Sequence, residues 1–191
     1  MKGIDGTLLR KKALGGREEA RDAFKELWEY FYPRLLVYIA SFKRLPASEH
    51  EDIVSDALIK AFNALETYNG MYSLSTWVYA IARNYFVDAI RKSKNMTPVS
   101  IEAIDGQNLV NYNNQKSVID DIIDKEAVNA CKRIIDTLNE KDKRLIFLKY
   151  FEELNSREIG LIEGMSPNTV RWRIAAIKSY IATHIGGRDE H

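Results

Sequence analysis

The chain has 191 residues, 46% of them hydrophobic, and its 28 lysines and arginines face 27 aspartates and glutamates for a net charge of +1. That size fits one ordinary domain or two small ones, with enough apolar material for packed cores. A lone cysteine, Cys131, excludes a disulfide framework and a thiolate metal site, and no apolar run approaches the roughly 20 residues that cross a bilayer. The basic start (Lys2, Arg10, Lys11, Lys12) lacks the apolar stretch of a secretory signal, so a reduced cytoplasm without membrane insertion is expected.

Residues 1–17 carry no readable pattern. Phe24, Leu27, Trp28 and Phe31 then recur at helical spacing, and Pro33 is expected to interrupt before Leu35, Leu36, Ile39 and Phe42 resume. Pro46 breaks the chain, and Ser48 with Glu51 suggests a capping box for a long helix striped by Val54, Leu58, Ala61, Phe62 and Leu65. Asn69-Gly70 signals a turn. The next helix opens near Ser75, buries Val78, Ile81, Ala82, Tyr85 and Ala89, and ends on Arg91, Lys92 and Lys94. From Ser93 the periodicity dissolves into Pro98, Gly106 and an asparagine-rich run, as in a linker. It returns with Val128, Ile134, Ile135 and Leu138, then with Leu145, Ile146, Leu148 and Phe151.

Residues 155–180 have the layout of a helix-turn-helix. Asn155 and Glu158 form a capping box, Gly164 can take the left-handed turn that stops a short helix, and Ser166-Pro167 starts a second one. Ile159 and Ile162 are expected to close on Val170, Ile174 and Ile177. Asn168, Thr169, Arg171, Trp172 and Arg173 are then left near the amino end of the second helix, where a recognition helix meets duplex DNA. The same layout also occurs in bundles with no DNA role.

Two features stand out further forward. Glu49, Asp52 and Asp56 lie at i, i+3 and i+7 on one stripe; the helix dipole accounts for the first two but not for Asp56, two turns in. A docking surface for a basic partner accounts for all three. Around the Gly70 turn, Tyr68, Tyr72, Trp77, Tyr79, Tyr85 and Phe86 crowd beside Arg83, Asn84, Arg91 and Lys92. Rings next to cations bind single-stranded nucleic acid, each stacked base contributing about 1–3 kcal/mol. Trp77 and Tyr85 fall near the buried stripe, whereas Tyr72, Tyr79 and Phe86 need not serve the core.

The order of motifs resembles a bacterial RNA polymerase sigma factor of the extracytoplasmic-function (ECF) group. The resemblance runs from about Ala20 to Ala182 and rests on His50-Glu51-Asp52-Ile53-Val54-Ser55-Asp56-Ala57, on Ser73 through Asn84, and on Ser156 through Ile174. It implies an all-α fold of two small helical domains joined by a flexible linker. The expected division is an extension at 1–17, a region 2-like domain at 18–93, a linker at 94–125, a region 4-like helix-turn-helix domain at 126–185 and a tail at 186–191. It further implies that Glu49, Asp52 and Asp56 dock on the coiled coil of the largest core-polymerase subunit. Tyr72, Ser73, Trp77, Tyr79, Arg83 and Asn84 would hold melted downstream promoter DNA, and Asn168, Thr169, Arg171, Trp172 and Arg173 would read the upstream duplex. Trp172 stands where the family usually has a small or polar residue, and Gly160 where alanine is commoner. The resemblance admits an anti-sigma partner.

A free-standing helix-turn-helix regulator is the alternative; it leaves the acidic stripe and the aromatic turn without a role, and no heptad seam for a dimer is visible. Catalysis is not expected: His50, His184 and His191 sit in unrelated contexts, with no metal spacing, phosphate loop or nucleophile elbow, and no cofactor is implied.

Overall fold

The structure is a computed structural model and describes residues 3–42, 45–96 and 133–186. Among the described residues the elements run α1 (Gly6–Ala13), α2 (Arg17–Ala40), α3 (Ala47–Asn63), a 3₁₀ turn (Leu65–Thr67), α4 (Leu74–Met96), α5 (133–137), α6 (Glu140–Ile146), a π turn (Phe147–Phe151), α7 (Ser156–Glu163) and α8 (Pro167–Gly186). Among the described residues all regular structure is helical, as the periodicity indicates. The expected linker lies outside the described residues, save that 94–96 continue α4.

Three local expectations are corrected. Pro33 does not interrupt: α2 is continuous, and the proline sits on its exposed face, where the unpaired carbonyl of Glu29 can be hydrated while Phe31, Leu35 and Leu36 anchor both flanks in the core. No Ser48 capping box forms; α3 begins at Ala47 behind Pro46, without a side-chain cap. Residues 1–17 are more than an extension, because Asp5 accepts hydrogen bonds from Thr7 N (2.9 Å) and Leu8 N (3.1 Å), starting a helix whose Leu9 is buried.

In the front half, α2, α3 and α4 pack through Leu27, Phe31, Leu35 and Ile39, through Val54, Leu58 and Ala61, and through Val78, Ala82 and Phe86. In the rear half, Leu145 and Leu148 close on α7 and α8. The helix-turn-helix forms as its signals dictate. Asn155 accepts from Arg157 N and Glu158 N, Glu158 accepts from Asn155 N at 3.0 Å, and Gly164 turns at φ 66°. Ser166 caps Thr169 N at 3.1 Å, and Val170, Ile174 and Ile177 are buried with Ile159 and Ile162. Gly160 does more than loosen its helix. A Cβ there would stand 2.6 Å from the Met165 carbonyl oxygen, so the glycine lets the turn close onto α7.

The two halves do not keep separate cores. One cluster of buried residues runs through both, and α4 packs along α7. At the seam Tyr79 meets Tyr38 edge-on (centroids 5.1 Å apart, 83°) and Phe147 (6.2 Å, 68°). Beneath them lies a buried polar network. Tyr38 Oη donates to Glu163 Oε1 at 2.8 Å, and Arg144 Nε donates to both Glu163 oxygens at 3.2 and 3.3 Å. The Arg144 guanidinium lies 3.8 Å from the Phe42 ring centroid.

Candidate functional site

The acidic stripe of α3 is built as its spacing suggests. Ile53, Val54, Ala57, Leu58 and Ala61 turn inward, leaving Glu49, Asp52 and Asp56 exposed on the opposite side. Asp56 is steadied by Tyr85, whose hydroxyl donates to Oδ2 at 2.6 Å; that hydrogen bond is the main reason the Tyr85 hydroxyl titrates above its ordinary range. Glu49 and Asp52 therefore form an exposed anionic edge, and Asp56 one held by a hydrogen bond.

The aromatic turn divides into surface and core. Tyr72 and Asn84 are exposed, and Trp77 is half-buried against Tyr68, ring centroids 5.6 Å apart. Tyr79 is the correction: it is 0% exposed, enclosed by Tyr38, Phe31 and Phe147, and offers no face on which a base could stack. Phe86 is likewise buried, against Phe42. Both fall on the side of α4 that the rear half covers, which a helical wheel of α4 alone cannot reveal.

Ser73 and Arg83 are already engaged. Ser73 Oγ donates to Glu158 Oε1 at 2.8 Å and Thr76 Oγ1 to the same oxygen at 2.9 Å, while Arg83 Nη2 reaches the Glu163 carbonyl at 3.4 Å. Burial pushes the Glu158 carboxyl up, but the Asn155 amide and the Ser73 and Thr76 groups outweigh it and hold it below the usual glutamate range. Glu158 thus serves two elements at once, capping α7 and gripping the start of α4. Beside it Arg34 pairs with the almost fully buried Glu152 at 3.5 Å, and burial raises that carboxyl. Thr76, Glu158 and Glu163 escape sequence reasoning as seam residues. A signal existed for Glu163: it sits four residues after Ile159, an acid on an apolar stripe.

On α8, Asn168, Thr169 and Arg171 are exposed, with Arg171 bonded to the Asn168 side chain, and Trp172 is 72% exposed. Arg173 differs: it is half-buried and paired with Asp142 of α6, Nη2 to Oδ1 2.9 Å. The free edge is therefore Asn168, Thr169, Arg171 and Trp172. Among the described residues no group of three or more His, Cys, Asp or Glu side chains could hold a metal ion, and no helix is long and apolar enough to cross a membrane.

Comparison with known proteins assigns these two halves. The sigma-70 region 2 model matches residues 27–96 and the sigma-70 region 4 model residues 130–179, together more than half of the chain. The chain belongs to the sigma-70 family. Several of its relatives are ECF sigma factors. It is 29% identical to the ECF RNA polymerase sigma factor SigW of Bacillus subtilis over 87% of this chain and 91% of that protein. It is 25% identical to the ECF RNA polymerase sigma factor RpoE of Cereibacter sphaeroides over 95% of each. Among solved structures, RpoE of Bartonella quintana in complex with the anti-sigma factor NepR superposes with a TM-score of 0.57 at 19% identity, covering 87% of this chain and 98% of that one. CnrH in complex with the cytosolic domain of CnrY gives 0.56 at 16%, covering 97% and 99%. This sigma factor is a transcription initiation factor that binds core RNA polymerase and directs it to a promoter class; it is not an enzyme.

Proposed function

We propose that this sigma factor divides promoter recognition between its halves. Residues 18–93 dock on the largest-subunit coiled coil of core polymerase through Glu49, Asp52 and Asp56, and hold the melted downstream element through Tyr72, Ser73, Trp77, Arg83 and Asn84. Residues 126–185 read the upstream duplex through Asn168, Thr169, Arg171 and Trp172, with residues 94–125 as the connector. The observation that supports this reading is the amino-terminal half of α8: Asn168, Thr169, Arg171 and Trp172 are exposed while Val170, Ile174 and Ile177 pin the helix to α7. Neither half needs high affinity alone, because fixing their separation on polymerase raises the effective concentration of the second contact. Ser73 and Arg83 can reach DNA only after exchanging their bonds to Glu158 and Glu163, so loading on polymerase opens the seam. The factor acts where RNA polymerase is, in the cytoplasm. The partners of the two structural neighbours support an anti-sigma partner for this chain as well.

Exchanging Arg171 for alanine tests the duplex assignment. Holoenzyme affinity for the upstream element should fall by about 1–3 kcal/mol, read by fluorescence anisotropy on duplex oligonucleotides, while affinity for core stays the same. Undiminished duplex affinity would remove α8 from its assigned role.

A further inference from the structure

We propose that α1, which lies outside both family matches, positions the turn that presents Tyr72 and Ser73 to a separated strand; this deepens, and rests on, the strand-capture reading above. Residues 69–73 are all exposed, and the chain bends there through Gly70 at φ 72°, so the turn has little packing of its own to define it. Besides the Ser73 bond to Glu158 across the seam and a Met71 N bond to Asn69 Oδ1 (3.0 Å), it is tied at two carbonyls, that of Glu66 just before it and that of Tyr72 within it. Arg10 Nε of α1 donates to the Glu66 carbonyl at 2.9 Å, and Tyr68 Oη donates to the Tyr72 carbonyl at 2.8 Å.

Tyr68 reaches that carbonyl because of what stands at position 6. A Cβ on Gly6 would lie 2.6 Å from Tyr68 Cε1, 2.8 Å from Cζ and 2.9 Å from the hydroxyl oxygen. Any side chain there displaces the ring. Trp77 closes the other flank, and the Asp5 cap with buried Leu9 keeps the first turn of α1 in register with the ring. Burial, with Asp5 nearby, raises the Tyr68 hydroxyl above its ordinary value, so it remains a donor. Ser73 next to the clamp accepts from Thr76 N at 3.2 Å and starts α4. A path of direct contacts therefore runs from α1 through Gly6, Tyr68 and the Tyr72 carbonyl to the two residues assigned to the strand. With the clamp gone the same side chains remain but sample more conformations, and capture must order them.

The test uses the full chain bound to core polymerase and a fluorescein-labelled single-stranded oligonucleotide of the downstream element of a promoter mapped for this factor. Tyr68→Phe keeps the ring and removes the clamp; strand affinity is expected to fall about fivefold, the size of one lost neutral hydrogen bond. Affinities for core and for the upstream duplex should not change. Gly6→Ala should give the same pattern with a larger loss, and Tyr68→Phe stands without it should that variant fail to fold. Unchanged strand affinity in Tyr68→Phe, with Tyr72→Ala still weakening it, overturns the positioning role alone. Unchanged affinity in Tyr72→Ala overturns the strand-capture reading beneath it. An equal loss of core affinity in Tyr68→Phe also overturns the proposal, since the substitution would then be acting on the fold at large.

Discussion

Glu163→Ala is expected to destabilise the folded chain by about 3–5 kcal/mol, the cost of leaving a buried charge without its partner. Arg144 is the charge left behind. Its side chain is 10% exposed, its Nε bonds both Glu163 oxygens, and it faces the Phe42 ring, so water replaces the carboxylate poorly. Tyr38 would lose its acceptor at the same time. Burial and the nearby carboxylate raise that hydroxyl well above its ordinary value, so it stays protonated and needs the acceptor. Against a typical stability of about 5–15 kcal/mol, this single change removes a large fraction. Tyr38→Phe isolates the link across the seam and should cost about 1.5–3 kcal/mol, as for a hydrogen bond to a charged group. Urea unfolding followed by tryptophan fluorescence reads both variants. A loss below about 1 kcal/mol for Glu163→Ala would mean that Arg144 finds other compensation.

Reversing Asp52 and Asp56 to lysine is expected to weaken binding to core polymerase at least about a hundredfold, or roughly 3 kcal/mol, since close charge pairs across interfaces couple by about 1.5–7 kcal/mol. Both carboxylates are exposed, so the substitutions should leave thermal stability nearly unchanged. Among the described residues the hydrogen bond at stake is that of Tyr85 to Asp56, and Tyr85→Phe is its control. Labelled sigma factor titrated with core measures the effect. Equal affinity for wild type and the double variant would move the docking surface off this face of α3.

The helix-turn-helix was legible almost residue by residue because each of its signals is local. A capping box, a left-handed glycine and a proline at the first helical position each act within a few residues, and 155–177 folds as they dictate. The acidic stripe was legible for the same reason: periodicity reports which face of α3 is buried. Pro33 does not end α2 because a proline on an exposed face leaves its freed carbonyl accessible to water, and packing on both flanks keeps the helix continuous through it. α1 was invisible because eight residues with a single fully buried leucine carry too little pattern. Tyr79 was misplaced for a different reason. Its burial comes from residues on α2 and in the rear half, and nothing within α4 records a neighbour so distant in sequence. The seam as a whole was illegible on that ground, apart from an acid on the apolar stripe of α7 and an arginine beside Leu145.

Ser73 and Arg83 are committed to Glu158 and Glu163 in the docked arrangement, while Tyr72, Asn84 and Arg171 stay at the surface. In the proposed division of labour, core polymerase separates the halves and sets them on DNA. Run-off transcription with purified core and this chain, paired with promoter binding by the chain alone, measures that dependence. The account predicts initiation from one class of start sites only when both proteins are present, and weak promoter binding by the chain by itself. Tight, sequence-specific promoter binding in the absence of core, with no transcription gained when core is added, would contradict it.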